Sequence, residues 1–214
     1  MERLKNNYKE VWRKEGFILS VLTGLLFLVA SLAINYIAGN YATERASNPV
    51  TDIILDNLPV MNTEFIFVNG LFIFLAFVAW LLLKEPKKLP FALKSIALWV
   101  VVRSIFITLT HLGPFPGNDF DNYTDIIKNF TFGGDLFFSG HTGLPFLIAL
   151  LFWENKHLRN SFIAVSLIFG ASVLLGHLHY SIDVFAAFFI TDGTYRISEK
   201  LFKKDRQLFL EEKT

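Results

Sequence analysis

Residues 17–38 read FILSVLTGLLFLVASLAINYIA, an apolar run that contains no charged side chain. A helix of this length rises about 30 Å, which matches the hydrocarbon thickness of a bilayer. The run is longer than the apolar core of a signal peptide, so we interpret it as an uncleaved first membrane span. This stretch decides the fold class, because helices satisfy their own backbone hydrogen bonds inside lipid.

The rest of the chain repeats this character. Hydrophobic residues make up 53% of the sequence, 24 residues are Phe, and the mean hydropathy is +0.44. Further apolar runs cover residues 65–83, 89–112, 136–153, 162–178 and 181–195. We therefore predict an all-α, six-span membrane bundle over residues 17–195, between an N-terminal segment (1–16) and a basic tail (196–214). The chain has no cysteine, which excludes disulfides and thiolate metal sites.

Positive charge is distributed unevenly between the two sides of this bundle. Sixteen of the 20 Lys and Arg residues lie in segments 1–16, 84–88, 154–160 and 196–214. The positive-inside rule then predicts that both termini are cytosolic, in a multi-pass protein of the plasma (inner) membrane. The loops 113–135 and 178–181 fall on the opposite, non-cytosolic face, where we expect the functional site.

His179 and Asp183 begin the last predicted span. They are four residues apart, so on a helix they would share one face. A carboxylate that accepts from one imidazole nitrogen sets the tautomer and leaves the other nitrogen free as nucleophile or base. The alternative is a polar pair that only caps or hydrates the helix end. Ionisable groups at membrane depth are usually functional, which favours chemistry.

Ser139, Gly140, His141 and Thr142 precede the fourth predicted span. Ser is a common helix N-cap, Gly allows a ligand to approach the backbone, and a helix N-terminus presents free N–H groups to an anion. An ordinary capped helix start would explain Ser139 and Thr142 but not His141.

Two cations lie inside the third predicted span. Arg103 is in its outward half, where it could bind a phosphate oxygen or extend to the headgroups. Lys94 is near the cytosolic end, and we expect it to extend to the headgroups. His177 is either a neighbour of the site or a polar residue at a helix end. A zinc site at His177, His179 and Asp183 would need further clustered ligands, so we expect no metal and no cofactor.

GGDLFFSGHTG (133–143) and HLHYSIDVFAAFFIT (177–191) closely resemble the two catalytic motifs of the sphingomyelin synthase branch of the type 2 phosphatidate phosphatase superfamily. RSIFITLTHLGPFPG (103–117) is similar to the motif that precedes them in that branch. The resemblance covers residues 100–195.

The resemblance implies a role for each matching residue. His179 would be the nucleophile that forms a phosphohistidine, Asp183 would orient it, and His141 would be the general acid and then the base. Arg103, Ser139 and Gly140 would hold the phosphate oxygens. Thr142, Asp135 and His177 complete the predicted substrate-binding set.

Some positions depart from the family pattern. Animal sphingomyelin synthases have Cys at Gly133 and Asp at Leu178, and the wider superfamily has Arg at Val173. Two reactions therefore stay open: headgroup transfer to ceramide or a related lipid alcohol, and hydrolysis of a lipid phosphate by water. A catalytically silent membrane module is the alternative of another class. We expect membrane lipids as partners and no nucleic acid.

Overall fold

The computed structural model describes residues 8–9, 11–117 and 133–211, and all the regular structure within them is helical. Most of the predicted loop 113–135 and parts of both terminal segments lie outside the described residues. Seven α-helices follow one another along the described chain: α1 (Phe17–Glu44), α2 (Leu71–Lys84), α3 (Leu89–Leu109), α4 (Gly140–Leu151), α5 (Lys156–Leu175), α6 (Ser181–Leu201) and α7 (Lys203–Leu210). A π-helical turn, Phe65–Gly70, leads into α2, and a 3-10 turn, Pro86–Lys88, leads into α3.

Among the residues that the structure describes, four helical segments are long and apolar enough to cross a membrane. They are Phe17–Glu44, Phe65–Lys84, Pro86–Leu109 and Lys156–Leu175. The structure thus confirms a helical bundle with several candidate spans, each overlapping a run predicted from hydropathy.

The fourth and sixth predicted spans differ from these four. Helix α4 has 12 residues, about 18 Å of helix, which is shorter than the hydrocarbon core. Helix α6 has 21 residues, but its second half carries Asp192, Arg196 and Glu199. The count of six spans and the side on which the termini lie stay predictions.

The helices pack around a core rich in aromatic residues. Helix α1 lies along α3, while α4 packs against α5 and α6. A Cβ atom on Gly143 of α4 would lie 2.8 Å from the Trp99 ring and 3.0 Å from the Thr191 hydroxyl oxygen. The Trp99 indole N–H donates to that same oxygen at 2.8 Å. Gly143 therefore lets α4 approach both α3 and α6, which positions the start of α4 beside them.

The two ends of the bundle have different chemistry. Helices α4 and α6 begin at the end where α1, α3 and α5 finish, and we call this the site end. At the opposite end the Lys94 ammonium pairs with Asp205 of α7 at 2.6 Å and donates to the Ser20 hydroxyl at 2.6 Å. The prediction that Lys94 extends to the headgroups is wrong, because α7 folds back and supplies a carboxylate.

Candidate active site

His179 and Asp183 form the centre of the site end. The His179 Nδ1 atom lies 3.3 Å from Asp183 Oδ2, and Asp183 is fully buried. The same carboxylate oxygen accepts a hydrogen bond of 2.9 Å from the Tyr180 N–H. The spacing predicted that the two residues share one face of a helix. That prediction is wrong, because α6 begins at Ser181 and His179 precedes it. The pair forms instead because Asp183 caps the first turn and holds the residues just before it.

The second ring nitrogen of His179, Nε2, is the atom available for chemistry. Within the described part of the chain, His179 Nε2 has no hydrogen-bond partner, while Nδ1 faces the carboxylate. A carboxylate at Nδ1 favours the tautomer with its proton there and a lone pair on Nε2. His179 is 7% exposed, so this nitrogen is held in a largely dry environment. The arrangement suits an oriented nucleophile or base.

The Ser-Gly-His segment begins α4 beside this pair. The Ser139 hydroxyl oxygen accepts from the Thr142 N–H at 3.3 Å, which confirms the predicted N-cap. The Thr142 hydroxyl also donates to it, at 3.2 Å. A Cβ on Gly140 would lie 3.4 Å from Arg103 Nε, so Gly140 brings the helix start close to that guanidinium. The free N–H groups of the first turn thus lie next to a cation, a combination that favours an anion.

His141 contacts the π-helical turn that precedes α2. Its Nε2 lies 3.0 Å from the Phe67 carbonyl oxygen, and its ring stacks on the Phe67 ring at 3.9 Å between centroids. A backbone carbonyl only accepts, so Nε2 carries the proton in this contact. Nothing in the sequence indicated Phe67, which is one apolar residue within an apolar run.

Arg103 is buried against the segment that precedes Ser139. Its Nε donates to the Phe138 carbonyl at 3.0 Å, and one Nη donates to the Asp135 carbonyl at 2.8 Å and to the Asp135 carboxylate at 3.0 Å. The alternative that Arg103 extends to the headgroups is therefore wrong. Burial raises the pKa of Asp135 above its usual range, although the Arg103 guanidinium beside it acts in the opposite direction.

His177 faces a different part of the molecule. Its Nε2 lies 3.2 Å from the Leu58 carbonyl oxygen in the loop before α2, and its ring packs edge-on against Phe115. Its φ of 51° places it in the left-handed region, as the tight turn between α5 and α6 requires. The predicted contact of His177 with substrate stays a prediction.

The motifs and their geometry can be compared with known families. Residues 133–200 match the family model described as PAP2 superfamily C-terminal. This match covers α4, α5 and nearly all of α6, and it supports the type 2 phosphatidic acid phosphatase superfamily. No curated protein and no solved structure significantly matches the chain.

Two further residues outside the predicted set support the PAP2-like segment. Asp52, in the loop after α1, accepts a hydrogen bond of 2.7 Å from the Ser181 N–H. The Tyr180 hydroxyl donates to the Gly113 carbonyl at 2.8 Å and accepts from the Val50 N–H at 3.2 Å. Sequence reasoning missed both, because each contact uses a backbone group far away along the chain.

In the described ranges, no group of three or more His, Asp or Glu side chains is arranged to hold a metal ion.

Proposed function

We propose that this chain is an integral membrane enzyme that transfers a phosphorus-containing group from a membrane lipid to an acceptor, through a phosphohistidine at His179. The observation that carries the proposal is the pairing of His179 with the buried carboxylate of Asp183, 3.3 Å away. The PAP2 match over the same residues supports a lipid phosphatase or phosphotransferase chemistry.

The first step is an in-line displacement at phosphorus. The Nε2 lone pair of His179 forms the P–N bond while the P–O bond to the lipid glycerol breaks. His141 enters this step as an imidazolium: its Nε2 proton stays hydrogen-bonded to the Phe67 carbonyl, and its Nδ1 proton goes to the departing oxygen, which leaves as the hydroxyl of diacylglycerol. The phosphorylated ring keeps its Nδ1 proton and becomes cationic, and the Asp183 carboxylate stabilises that charge.

The second step reverses the proton transfer. His141, now neutral, takes the proton of an acceptor hydroxyl as the acceptor oxygen attacks phosphorus and the P–N bond breaks. His179 regains its Nε2 lone pair and the cycle closes.

The phosphate oxygens need donors along this path. The N–H groups of Gly140 and His141 and the Ser139 hydroxyl are the candidates. The Thr142 N–H and hydroxyl already donate to Ser139, so Thr142 would act by holding that side chain. Arg103 supplies positive charge beside Gly140, which would contact the phosphate through its backbone. Asp135 holds that guanidinium in place. Such donors stabilise the charge that develops on the equatorial oxygens.

The charge distribution supports a site on the outer leaflet. The loops rich in Lys and Arg belong to the end opposite the site end, so the positive-inside rule directs the site to the non-cytosolic face. Membrane lipids would then reach His179 from the leaflet in which the helix starts lie.

Two acceptors compete for the phosphohistidine. The departures from animal sphingomyelin synthases at Gly133 and Leu178 favour water, which would make the enzyme a lipid phosphate phosphatase. The resemblance of residues 100–195 to sphingomyelin synthases supports a lipid hydroxyl such as that of ceramide, which makes it a headgroup transferase.

One experiment separates these outcomes. Purified protein in lipid nanodiscs would receive labelled phosphatidic acid and labelled phosphatidylcholine or phosphatidylethanolamine, with and without ceramide, and products would be resolved by mass spectrometry. Free phosphate without a new lipid identifies a phosphatase. A phosphosphingolipid formed only with ceramide identifies a transferase.

The same assay contains its own controls. His179→Ala should form no product, whereas His157→Ala, a change at an exposed residue on α5, should match the wild type. If the folded wild-type protein forms neither product, the proposal fails and the silent-module alternative is favoured.

A further inference from the structure

The loop between α1 and the π-helical turn lies against the start of α6. In this loop Asp52 is 7% exposed, and its carboxylate has two sets of partners. Oδ1 accepts from the N–H groups of Ile54 and Leu55 at 2.9 and 3.1 Å, which closes a local turn. Oδ2 accepts from the Ser181 N–H at 2.7 Å. One carboxylate therefore joins the loop to the first residue of α6.

We propose that Asp52 is a positioning residue for His179, acting through the backbone of Ser181. This inference rests on the proposed function, because it concerns how the same nucleophile is oriented. Asp52 lies outside residues 133–200, so the family match does not include it.

The local geometry explains why an anchor is needed there. His179 lies in the short connection between Leu175, where α5 ends, and Ser181, where α6 begins. No regular helical hydrogen bonding of α6 reaches His179, so its orientation depends on what holds the residues beside it. Asp183 holds the Tyr180 N–H from within α6, and Asp52 holds the Ser181 N–H from the loop.

Electrostatics favours a carboxylate in this position. The first turn of α6 presents free N–H groups and the positive end of the helix dipole. A charged acceptor makes a stronger hydrogen bond to such groups than a neutral one. Removal of Asp52 would leave the Ser181 N–H without this acceptor. The connection between α5 and α6, which carries His179, would then no longer be fixed to the loop after α1.

Kinetics of three variants in nanodiscs test this role. Asp52→Ala removes both sets of contacts. Asp52→Ser keeps an oxygen for the local turn but is too short for the Ser181 N–H. Asn57→Ala is the matched control, since the described hydrogen bond of the exposed Asn57 side chain, to the Ile53 carbonyl, stays within the same turn and does not involve Asp52. We expect kcat to fall about tenfold to a hundredfold in both Asp52 variants with KM within about twofold, because small misplacement of a reacting group has effects of this size. Asn57→Ala should keep kcat within about threefold.

A second readout follows the His179 ring without turnover. The chain has 5 His residues, so ¹⁵N-histidine labelling gives few side-chain signals, and His179→Gln assigns the one of interest. We expect Asp52→Ser to shift the His179 ring-nitrogen signals while the His157 signals stay unchanged.

The outcomes separate this inference from the proposed function. Either unmoved His179 signals or an unchanged kcat in both Asp52 variants overturns the positioning role. If the wild-type protein turns over no lipid, the proposed function fails, and the labelled spectra still decide whether Asp52 orients His179.

Discussion

The Ser139 N–H donates a hydrogen bond of 3.1 Å to the carbonyl oxygen of Asp183, and this joins the first turns of α4 and α6. The Asp183 side chain meanwhile faces His179. One residue thus links the start of α6, which His179 precedes, to the start of α4, which carries His141. The Asp183 carbonyl therefore fixes the start of α4, and the Asp183 carboxylate fixes His179, so that one residue positions both histidines of the proposed reaction.

Asp183→Asn should keep the protein folded and lower kcat by up to about 10⁴, the size of the loss when a carboxylate that orients a catalytic histidine becomes an amide. An amide can present its NH₂ group to His179 Nδ1, which favours the tautomer with the proton on Nε2 and removes the lone pair that would attack phosphorus. Steady-state kinetics in nanodiscs measures this. Asp192→Asn is the control on the same helix, since Asp192 pairs only with the exposed Arg196 among the described residues. Equal activity of the two variants would contradict the role of Asp183.

Orthovanadate should inhibit the enzyme, because its trigonal-bipyramidal form mimics phosphorus during in-line displacement. Inhibition constants of the wild type would be measured first. Thermal unfolding would then compare vanadate-dependent stabilisation of the wild type with that of His179→Ala, which we expect to be much smaller. An active enzyme that vanadate does not inhibit would argue against the proposed arrangement of donors around the phosphate.

Phe67→Leu should lower kcat about tenfold, because an aromatic stack contributes about 0.5 to 1.5 kcal/mol and here it holds the His141 ring. The Phe67 carbonyl remains, so the hydrogen bond can still form but the ring is less restricted. Phe65→Leu is the matched control in the same π-helical turn, since Phe65 is 70% exposed. If both variants keep wild-type kcat, the stack does not orient His141.

Asp52 should contribute to stability in a pH-dependent way. Burial acts to raise the pKa of Asp52, but hydrogen bonds from Ser181, Leu55 and Ile54 outweigh it and hold this pKa below its usual range. Since the folded pKa is the lower one, the contribution is present above the unfolded pKa of about 3.9 and is lost as the pH falls through the folded pKa.

Thermal unfolding in detergent checks this sign. At pH 7, Asp52→Ala should unfold at a lower temperature than the wild type, with a loss of about 1 kcal/mol, typical of a helix cap. The difference should narrow below about pH 4. A difference that widens as the pH falls would contradict the assigned direction.

Local sequence determined the helices and part of the site. Charge-free runs such as 17–38 predict helices because lipid leaves no other partner for the backbone. Ser139 predicted a helix start that the structure confirms at Gly140. The pairing of His179 with Asp183 also followed from the sequence, but it forms where Asp183 caps the start of α6 and not on a shared helical face.

Contacts between distant parts of the chain were decided by tertiary structure alone. Lys94 meets Asp205 only because α7 folds back, His141 meets the Phe67 carbonyl, and Asp52 meets the Ser181 N–H across 129 positions. The last two contacts use backbone groups, which every residue carries and no side-chain pattern marks. The sequence by itself therefore determined the helical class and the pairing of His179 with Asp183, whereas packing of the helices decided which other groups contact them.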